Sequence, residues 1–483
     1  RESGDDDDRL SSLPDEITSH LLSFLETKYA VGTSVLSRRW KDCWTRVSNL
    51  DLDNSLILRS LDEAPKLKCV PNILNRRHLL FTRFVDKVLG QHASLNSVRR
   101  FRFHLSHSKR LSEARFDRKL VFGALMEEID VMISKKQRFG EPLRLSCIPE
   151  SFYTLKNLRV AELSGVVLGA TNQSVFLPNV EILKLCSVEI DFDSLGSLLS
   201  GCPVLETAHL ESCKPSSFNS RKHVIEVSLP SLKKLKIGDD MRRDVMLCPF
   251  VIEAPNLEDL YLKQFVRLQF KGSSPLSWLN SASVDTGYCE FSNGFLMRLL
   301  NQISNAKKMC LSRMTLNNLW EVDDVKLPVF PNLTHLTIGT GGSSWILHSL
   351  LKSASKLRSL VVDMKLEKHS GEPMLWESLE TASVPECLSS TLEEIEIKDL
   401  VAYQDEMNTI AYLLNAGAVL KQVNMHVNGR YLELNGREEL DSLLKFSRRS
   451  SACEARLLFP NIDDIYTDSD DETYISDDAV WAL

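Results

Sequence analysis

The chain has 483 residues, 43% of them hydrophobic and 25% charged, and this length favours several domains or one extended repeat over a single core. The formal net charge of −7 comes from the C-terminal end, where residues 461–483 hold eight acids and no lysine or arginine. The rest of the chain is close to neutral, so no basic field predicts nucleic-acid binding. No apolar run reaches the roughly 18 residues of a membrane-spanning helix, so no membrane association is predicted.

The eleven cysteines follow no C-x-x-C pattern and no regular framework, which predicts free thiols in a reducing compartment. We therefore expect a cytoplasmic or nuclear protein. The sequence contains no phosphate-binding loop, nucleophile elbow or H-E-x-x-H motif, and it predicts no catalytic residue and no cofactor. His104 and His107 could form a metal pair, but no cysteine or acid stands at ligand spacing from them, so no metal site is predicted.

A first helix is predicted within SSLPDEITSHLLSFL, residues 11–25. Pro14 suits the first helical turn, where its missing N–H costs nothing, and Asp15 and Glu16 lie at the positive end of the helix dipole. The apolar residues recur at helical spacing and widen into one stripe. They are Leu13, Ile17, Leu21, Leu22, Phe24 and Leu25.

A second helical stretch is predicted in YAVGTSVLSRRWKDCWTRV, residues 29–47, which Arg38 and Arg39 interrupt with charge. Its apolar residues are Val31, Val35, Leu36, Trp40 and Trp44. Two or three short helices cannot bury this much apolar surface among themselves. The surplus must dock either on the rest of the chain or on a partner protein, and the residues alone leave both alternatives open.

The segment LSSLPDEITSHLLSFLETKYAVGTSVLSRRWKDCW resembles the F-box of plant proteins in its Leu-Pro opening, its Leu-Leu pair, its VLSRRW element and its trailing tryptophan. The resemblance implies binding to a Skp-family adaptor, which links to a cullin scaffold and a RING subunit. It also implies which residues form the adaptor interface or the small core beneath it. These are Leu13, Pro14, Ile17, Leu21, Leu22, Val31, Val35, Leu36 and Trp40.

Two segments between the F-box and the middle of the chain predict regular elements. In NSVRRFRFHLS, residues 96–106, apolar side chains alternate as in a strand. In FDRKLVFGALMEEIDVMISKK, residues 116–136, the spacing of Leu120, Leu125, Ile129 and Ile133 predicts an amphipathic helix. The acids of the Asp51-Leu-Asp53 stretch are predicted on a solvated strand edge.

The middle of the chain repeats the frame apolar-x-x-apolar-x-apolar nine times, with starts 22 to 27 residues apart. The starts are Leu158, Val180, Leu205, Leu232, Leu257, Leu279, Ala306, Leu333 and Leu357. This period is that of leucine-rich repeats, in which each frame ends in a strand with one buried face and neighbouring repeats stack into a continuous core. A return helix is predicted in DFDSLGSLLSGCPVL, residues 191–205. The lengths are irregular and no strict asparagine ladder is present, as in the looser repeats of plant F-box proteins.

From about Met374 the spacing of the frame breaks. Residues 374–427 resemble the FBD domain of plant F-box proteins in VPECL, in the strand at Leu392–Ile397 and in AYLLNAGAVLKQVNM. LLKFSRRSSACEARLLF, residues 443–459, resembles the closing helix and strand of that domain. The residues after Pro460 combine low hydrophobicity with charge of one sign, which predicts disorder.

The predicted fold is therefore α/β, with the domain order of the plant F-box/FBD/leucine-rich-repeat family. We expect an acidic segment at 1–8, a short three-helix F-box at 9–54, a linker and helical connector at 55–97, an irregular leucine-rich-repeat solenoid at 98–373, a C-terminal α+β FBD domain at 374–459 and an acidic tail at 460–483.

The resemblance implies a substrate-recognition subunit of a Skp–cullin–F-box ubiquitin ligase. The F-box would recruit the ligase, the repeats and FBD would present a curved surface to an unknown protein substrate, and the chain would hold no ligase chemistry of its own. Two alternatives stay open: an adaptor-bound interaction protein without a role in degradation, and a co-receptor for a small molecule such as a hormone. For the latter, the repeat frames show no inward basic cluster.

Overall fold

The structure is a computed structural model with two compact units, Arg1–Leu257 with Arg267–Lys271 (unit 1) and Glu258–Val266 with Gly272–Leu483 (unit 2). The residues that it describes are 13–54, 71–91, 97–105, 122–134, 146–169, 174–214, 224–238, 249–264, 268–272, 274–287, 293–320, 327–339, 344–364, 383–401, 404–428, 445–446 and 448–459. Among these residues no helix is long and apolar enough to cross a lipid bilayer.

The described strands are short, and most hold four to six residues. In chain order they are β1 (Asn49–Asp53), β2 (Arg100–Leu105), β3 (Glu128–Ile133), β4 (Ser146–Cys147), β5 (Val160–Ser164), β6 (Val166–Leu168), β7 (Ile182–Cys186), β8 (Glu189–Ile190), β9 (Thr207–Glu211), β10 (Ile225–Ser228), β11 (Lys234–Gly238), β12 (Phe250–Glu253), β13 (Asp259–Lys263), β14 (Leu268–Phe270), β15 (Ser281–Asp285), β16 (Lys308–Leu311), β17 (His335–Gly339), β18 (Ser359–Asp363), β19 (Glu394–Leu400), β20 (Gln422–Val427) and β21 (Glu454–Leu458).

The described α-helices are α1 (Asp15–Leu22), α2 (Thr27–Gly32), α3 (Pro71–Gln91), α4 (Phe192–Ser200), α5 (Asn293–Gln302), α6 (Arg313–Trp320), α7 (Ser344–Ser353), α8 (Glu386–Ser390) and α9 (Gln404–Ala416). Short 3₁₀ turns add to these at Thr33–Val35, Cys43–Arg46 and Glu150–Thr154.

Unit 1 is built on seven parallel strands in the order β1-β2-β3-β5-β7-β9-β11, which we call its main sheet. The strands pair in step, so that Val160 of β5 lies opposite Ile182 of β7. Two smaller parallel sheets, β4-β6-β8 and β10-β12-β14, form in the segments that return from one main strand to the next. The return between β7 and β9 contains α4, as the sequence predicts, with Leu195 and Leu198 fully buried.

Unit 2 is built on eight parallel strands in the order β13-β15-β16-β17-β18-β19-β20-β21. In the part of unit 2 that the structure describes, the returns between β15 and β20 hold helices instead of strands. Helix α6 packs against β15 and β17, and the contacts continue from α5 through α6, α7 and α8 to α9. Unit 2 therefore has one sheet covered by a row of helices.

The nine repeat frames predicted from the sequence are confirmed as strands. Each strand begins two residues after the first apolar residue of its frame, so the frame at Leu158 gives β5 and the frame at Leu357 gives β18. The three apolar positions of a frame point to one side and are buried, as Leu158, Ala161 and Leu163 show. Because these strands pair in register, equivalent side chains stack into one continuous apolar layer in each unit.

The sequence predicts no strict asparagine ladder, but part of one is present in unit 1. At the residue before the frame, Asn157 Nδ2 donates to the carbonyl of Ala124, and Asn179 Nδ2 donates to the carbonyl of Lys156. The hydroxyl of Ser231 takes the same position and donates to the carbonyl of Pro203. These bonds satisfy backbone acceptors between successive repeats, and a serine can replace the asparagine because the geometry needs only one donor.

The helix predicted over residues 116–136 is wrong where the structure describes it. Residues 128–133 form β3, and Leu125, which was assigned to the apolar face, is exposed. The side chains of Ile129, Val131 and Ile133 are buried and alternate with Asp130 and the exposed Met132. The two-residue period and the β-branched residues therefore favour a strand. Leu120 lies outside the described residues.

The predicted second helix of the F-box is also shorter than expected. Within residues 13–54 the structure describes two α-helices, α1 and α2, and two 3₁₀ turns instead of three helices. The charged stretch Ser37–Asp42 forms turns, because Arg38 and Arg39 interrupt the apolar stripe that would hold a helix against its neighbours. In the predicted connector, α3 buries Phe81, Val85 and Val88.

The predicted break at Met374 does not end the sheet of unit 2. Strand β19, at the predicted strand Leu392–Ile397, pairs in parallel with β18, and β20 and β21 follow in the same direction. The FBD region thus continues the parallel sheet rather than forming an α+β fold of its own. The longer spacing between β18 and β19 hides this continuity from a search at a fixed period.

Gly165, between β5 and β6, gives a first testable prediction. Its φ is +67°, and a Cβ placed there would meet the carbonyl oxygen of Ile133. We expect Gly165→Ala to lower the free energy of unfolding by about 1–3 kcal/mol, because the left-handed conformation and the contact both oppose a side chain. Gly90→Ala is the matched control: Gly90 lies in α3 with open space around it, and its change should raise stability by about 0.5–1 kcal/mol. Urea unfolding of both variants measures the difference, and equal midpoints would contradict the assignment.

His348 of α7 gives a second prediction. It is buried, with its Nδ1 3.1 Å from the Tyr412 hydroxyl of α9, and burial, aided by Lys352, lowers the pKa of its imidazole below the ordinary value. The unfolded chain therefore binds more protons as the pH falls below about 7, and stability decreases in that direction.

We expect His348→Gln to flatten this decrease between about pH 7.5 and pH 5.5, because no proton is then taken up on unfolding at this position. Urea unfolding at a series of pH values measures the slope. A His348→Gln variant with an unchanged slope would show that other groups cause the pH dependence.

Candidate functional site

The N-terminal segment carries a large uncovered apolar surface, which we call the N-terminal apolar face. Val35 is 85% exposed, Phe24 75% and Leu36 67%. Among the described residues of this segment, the exposed large apolar side chains are Ile17, Leu21, Phe24, Leu25, Tyr29, Val35 and Leu36. Seven large apolar side chains exposed within residues 17–36 are many for so short a segment of a monomeric protein, and this concentration favours an interaction site.

The nine residues predicted for an adaptor interface separate by burial. Pro14, Ile17, Leu21, Val35 and Leu36 are exposed. Leu13, Val31 and Trp40 are half-buried, and Leu22 is buried at 3% exposure. The first two groups are placed where a second protein could reach them, and Leu22 is placed in the core beneath. Their assignment to an adaptor stays a prediction.

A small core lies beneath the N-terminal apolar face. Ala30, Trp44 and Val47 are buried together with Leu22, and the Ser19 hydroxyl donates to the carbonyl of Cys43. Trp44 is therefore a core residue. This core is small, and it holds the exposed residues in place without covering them.

Arg39 connects the start of α1 to the turn that contains the VLSRRW element. Its Nη2 lies 3.1 Å from Asp15 Oδ1 and also donates to the carbonyl of Leu13. Arg46 approaches the other oxygen of Asp15 at 3.6 Å. Both pairs are partly solvated and so contribute modestly to stability, but they fix the relative position of the Leu-Pro opening and the second half of the segment.

The F-box segment is joined to the main sheet of unit 1 by hydrogen bonds at β1. The Asp51 N–H donates to the Thr27 hydroxyl at 2.8 Å, and the Ser48 N–H donates to the Ser23 hydroxyl at 3.0 Å. The Asn49 side chain donates to the carbonyl of Ser23. These bonds use N–H groups at the edge of the sheet that no further strand satisfies within the described residues, so α2 covers the edge.

The first, third and fifth residues of the seven main strands form a mainly polar surface, which we call the polar face of unit 1. Its charges are paired across strands. Arg102 contacts Asp51 at 3.4 Å and Asp130 at 3.4 Å, and Lys184 contacts Glu162 at 2.8 Å. β1 is the edge strand of the described sheet, as predicted, but Asp51 is only partly solvated: its side chain is 28% exposed, and burial raises the pKa of its carboxyl against the opposing effect of Arg102.

A second cluster on this face contains Cys186 of β7, His209 and Glu211 of β9 and Lys236 of β11. His209 Nε2 lies 2.7 Å from Glu211 Oε2, and Lys236 Nζ lies 3.5 Å from the same oxygen. The Cys186 sulfur is close enough that one atom from each of Cys186, His209 and Glu211 falls within 4.8 Å of the others. Burial raises the pKa of the Cys186 thiol to about 11.

Sequence reasoning missed this cluster because its members stand on successive repeats. The paired register of β7 and β9 places Cys186 opposite Glu211, and no local spacing reveals that. The pair that the sequence did raise does not form a site in the described residues. His104 contacts Asp130 at 2.7 Å within the charge network, and His107 lies outside the described residues.

The described residues also form a depression of about 340 Å³ at the start of the central strands of unit 1. Its lining is Glu127, Asn157, Arg159, Asn179 and Glu181. Arg159 pairs with Glu181 at 3.0 Å, and both asparagines donate to the backbone ladder. Pockets for small organic ligands are mainly apolar, so this depression does not favour the small-molecule co-receptor alternative.

Three parts of the chain match known families. Residues 10–52 match the F-box domain, residues 127–277 match the leucine-rich repeats of FBD-associated F-box protein At5g56370, and residues 380–425 match the FBD domain. The N-terminal apolar face lies within the F-box match, and Cys186, His209 and Glu211 lie within the leucine-rich-repeat match.

Relatives of similar length are found in Arabidopsis thaliana. The FBD-associated F-box protein At4g10400 is 27% identical over 450 residues, which cover 92% of this chain and 99% of the relative. The putative F-box/FBD/LRR-repeat protein At3g49480 is 29% identical over 471 residues, covering 94% and 97%. The F-box/LRR-repeat protein At2g42730 is 29% identical over 476 residues, covering 93% and 98%.

These comparisons confirm the family resemblance predicted from the sequence: an F-box, leucine-rich repeats and an FBD domain follow one another in this order, and the homologues are Arabidopsis FBD-associated F-box and F-box/LRR-repeat proteins. This domain content indicates an adaptor role in ubiquitin ligation, and proteins of this type are typically non-catalytic.

The hydrogen bond between Thr27 and β1 gives a third prediction. Thr27→Val keeps the shape of a side chain that is 1% exposed but removes the acceptor of the Asp51 N–H. We expect a loss of about 1–3 kcal/mol in the free energy of unfolding, because a buried donor is left without a partner. Hydrogen exchange should also quicken at residues 49–53.

Thr33→Val is the control for this experiment. The Thr33 hydroxyl only donates to the carbonyl of Ala30 within its own turn, so its loss should change stability by less than about 0.5 kcal/mol. Urea unfolding and exchange mass spectrometry on the two variants measure the difference. If Thr27→Val leaves exchange at β1 unchanged, this bond does not join the F-box to the sheet.

Proposed function

We propose that this chain is the substrate-recognition subunit of a Skp–cullin–F-box ubiquitin ligase. The observation that carries the proposal is the N-terminal apolar face, which remains uncovered within the segment that matches the F-box domain. A Skp-family adaptor would cover this face and join the chain to a cullin and a RING subunit. The names of the relatives, which combine F-box, FBD and LRR-repeat, support the same assignment.

The adaptor would contact the exposed residues of the predicted set. Pro14, Ile17, Leu21, Val35 and Leu36 would lie in the interface, and Leu13, Val31 and Trp40 would lie at its margin or just below it. Burial of several large apolar side chains is the main favourable contribution to such an interface. Leu22 would act through the core beneath them.

The target protein would bind the outward faces of the repeat strands and the FBD region. In unit 1 this surface offers paired charges of both signs, such as Arg102 with Asp130 and Lys184 with Glu162. A surface of this kind suits a protein partner better than a nucleic acid, which needs an excess of positive charge. The chain would contribute to ubiquitin transfer by proximity, which raises the effective concentration of target lysines near the conjugating enzyme.

We place this function in the cytoplasm, the nucleus or both. The described cysteines are reduced thiols, and several are buried. That pattern agrees with a reducing compartment, in which ubiquitin ligases of this kind would act.

Adaptor capture by variants of the N-terminal apolar face gives a fourth prediction. Val35→Asp places a carboxylate in the proposed interface, where burial without a partner costs several kcal/mol. We expect capture of a Skp-family adaptor by the full chain to fall by at least about 100-fold, which corresponds to about 2.7 kcal/mol. The unfolding midpoint should stay near that of the wild type, because Val35 is exposed in the lone chain.

Val224→Asp is the matched control, since Val224 is 48% exposed at the start of β10 and lies outside the F-box. It should bind adaptor as the wild type does. Adaptor capture that survives Val35→Asp would contradict the interface. A chain that captures adaptor but neither recruits a cullin nor changes the level of any co-purifying protein when depleted would instead be a non-degradative interaction protein.

A further inference from the structure

We propose that Cys186, His209 and Glu211 form a zinc site on the polar face of unit 1, with three protein ligands and a fourth position open to the solvent side of the sheet. The sulfur of Cys186, a ring nitrogen of His209 and a carboxylate oxygen of Glu211 lie within 4.8 Å of one another. Ligands around tetrahedral zinc stand roughly 3.5 Å apart, so small side-chain rotations bring these atoms to coordination distance.

The backbone fixes the three positions. β7 and β9 pair in parallel, and Cys186 lies directly opposite Glu211 in their register. His209 stands two residues before Glu211 on the same face of β9. Ligands that sit on paired strands are held by the sheet itself, which is the kind of support that metal sites need.

The donor set selects the metal. A thiolate, an imidazole and a carboxylate are the protein ligands of zinc, whereas magnesium and calcium take oxygen donors only. Three protein ligands with one free position are the arrangement of zinc sites that accept an outside ligand rather than closed structural sites. His209 and Glu211 retain about one fifth of their side-chain exposure, so a metal and a further ligand can reach them.

The environment of Cys186, which is half-buried, differs from that of three buried thiols. The sulfurs of Cys202, Cys213 and Cys387 each donate to a backbone carbonyl, as a small buried residue does in a packed core. The Cys186 sulfur instead lies beside an imidazole and a carboxylate. Zinc would replace its proton, which passes to water.

A simpler interpretation of the cluster is an ordinary charge network. It would rest on Lys236, whose ammonium lies 3.5 Å from Glu211. In the zinc site it remains next to Glu211 as an outer partner that orients the carboxylate. Zinc with one thiolate and one carboxylate is formally neutral, so Lys236 leaves the site with one positive charge. The fourth position therefore favours an anionic donor.

An acidic or cysteine side chain of the target protein could supply that donor, because the site lies on the face that the proposed function gives to the target. This last step rests on the proposed function. Metal binding by the cluster does not, and the experiment below measures metal binding alone.

The test is a cobalt titration of the metal-free full chain under reducing, oxygen-free conditions, which gives the fifth prediction. Co²⁺ bound to a thiolate in a tetrahedral site absorbs in the near ultraviolet by sulfur-to-metal charge transfer and strongly in the visible. We expect one cobalt per chain with both signals, and their loss when Zn²⁺ is added. Cys186→Ser should abolish the charge-transfer band.

Cys147→Ser, at an exposed thiol, is the control and should leave both signals unchanged. His209→Gln keeps the thiol and should weaken cobalt binding by at least about tenfold while retaining some charge-transfer intensity, so the proposal stays testable if Cys186→Ser does not fold. The absence of a charge-transfer band in the wild type, its persistence in Cys186→Ser, or its loss in Cys147→Ser would overturn the site. The last result would show metal bridged by surface thiols.

Discussion

The parallel, in-register pairing of short strands is the constraint on which the rest of the structure depends. One frame such as Leu158-x-x-Ala161-x-Leu163 buries three side chains only if a neighbouring frame lies beside it. A row of such strands must end somewhere, and its last strand exposes unsatisfied N–H groups. In unit 1 the hydroxyls of Ser23 and Thr27 accept from the N–H groups at β1. The F-box segment therefore caps the sheet as well as carrying the exposed apolar residues.

The same pairing divides the side chains of the strands into an inward set and an outward set, which tolerate substitution to different degrees. The inward set is held by packing, and a polar residue there would cost the burial of an unpaired group. The outward set needs only local compensation, which charge pairs such as Arg102 with Asp51 and Lys184 with Glu162 provide. Residues of the outward set can therefore change while the core stays the same. The Cys186, His209 and Glu211 cluster belongs to this outward set.

The sequence predicted the repeat strands well because their signal is local, with a fixed frame followed by a return of similar length. It failed where two periods compete: Ile129 and Ile133 are four residues apart, which fits a helix, but Val131 between them is also buried and fits only a strand. The F-box face was predicted from motif resemblance, and no local pattern could show that Leu22 is covered while Leu21 is not. Contacts that cross repeats depend on register, which one sequence does not reveal.

Hydrogen bonds hold the F-box at β1, so each strand of the main sheet of unit 1 lies at a set distance from the F-box. Neighbouring strands lie about 4.8 Å apart, so the five steps from β2 to β11 correspond to roughly 24 Å. If the F-box is anchored on a ligase, the strand at which a target docks sets how far that target stands from the anchored end. Two targets with the same affinity but different docking strands would then offer different lysines to the conjugating enzyme. The strand at which a target docks would then determine which of its lysines is modified, independently of how tightly the target binds.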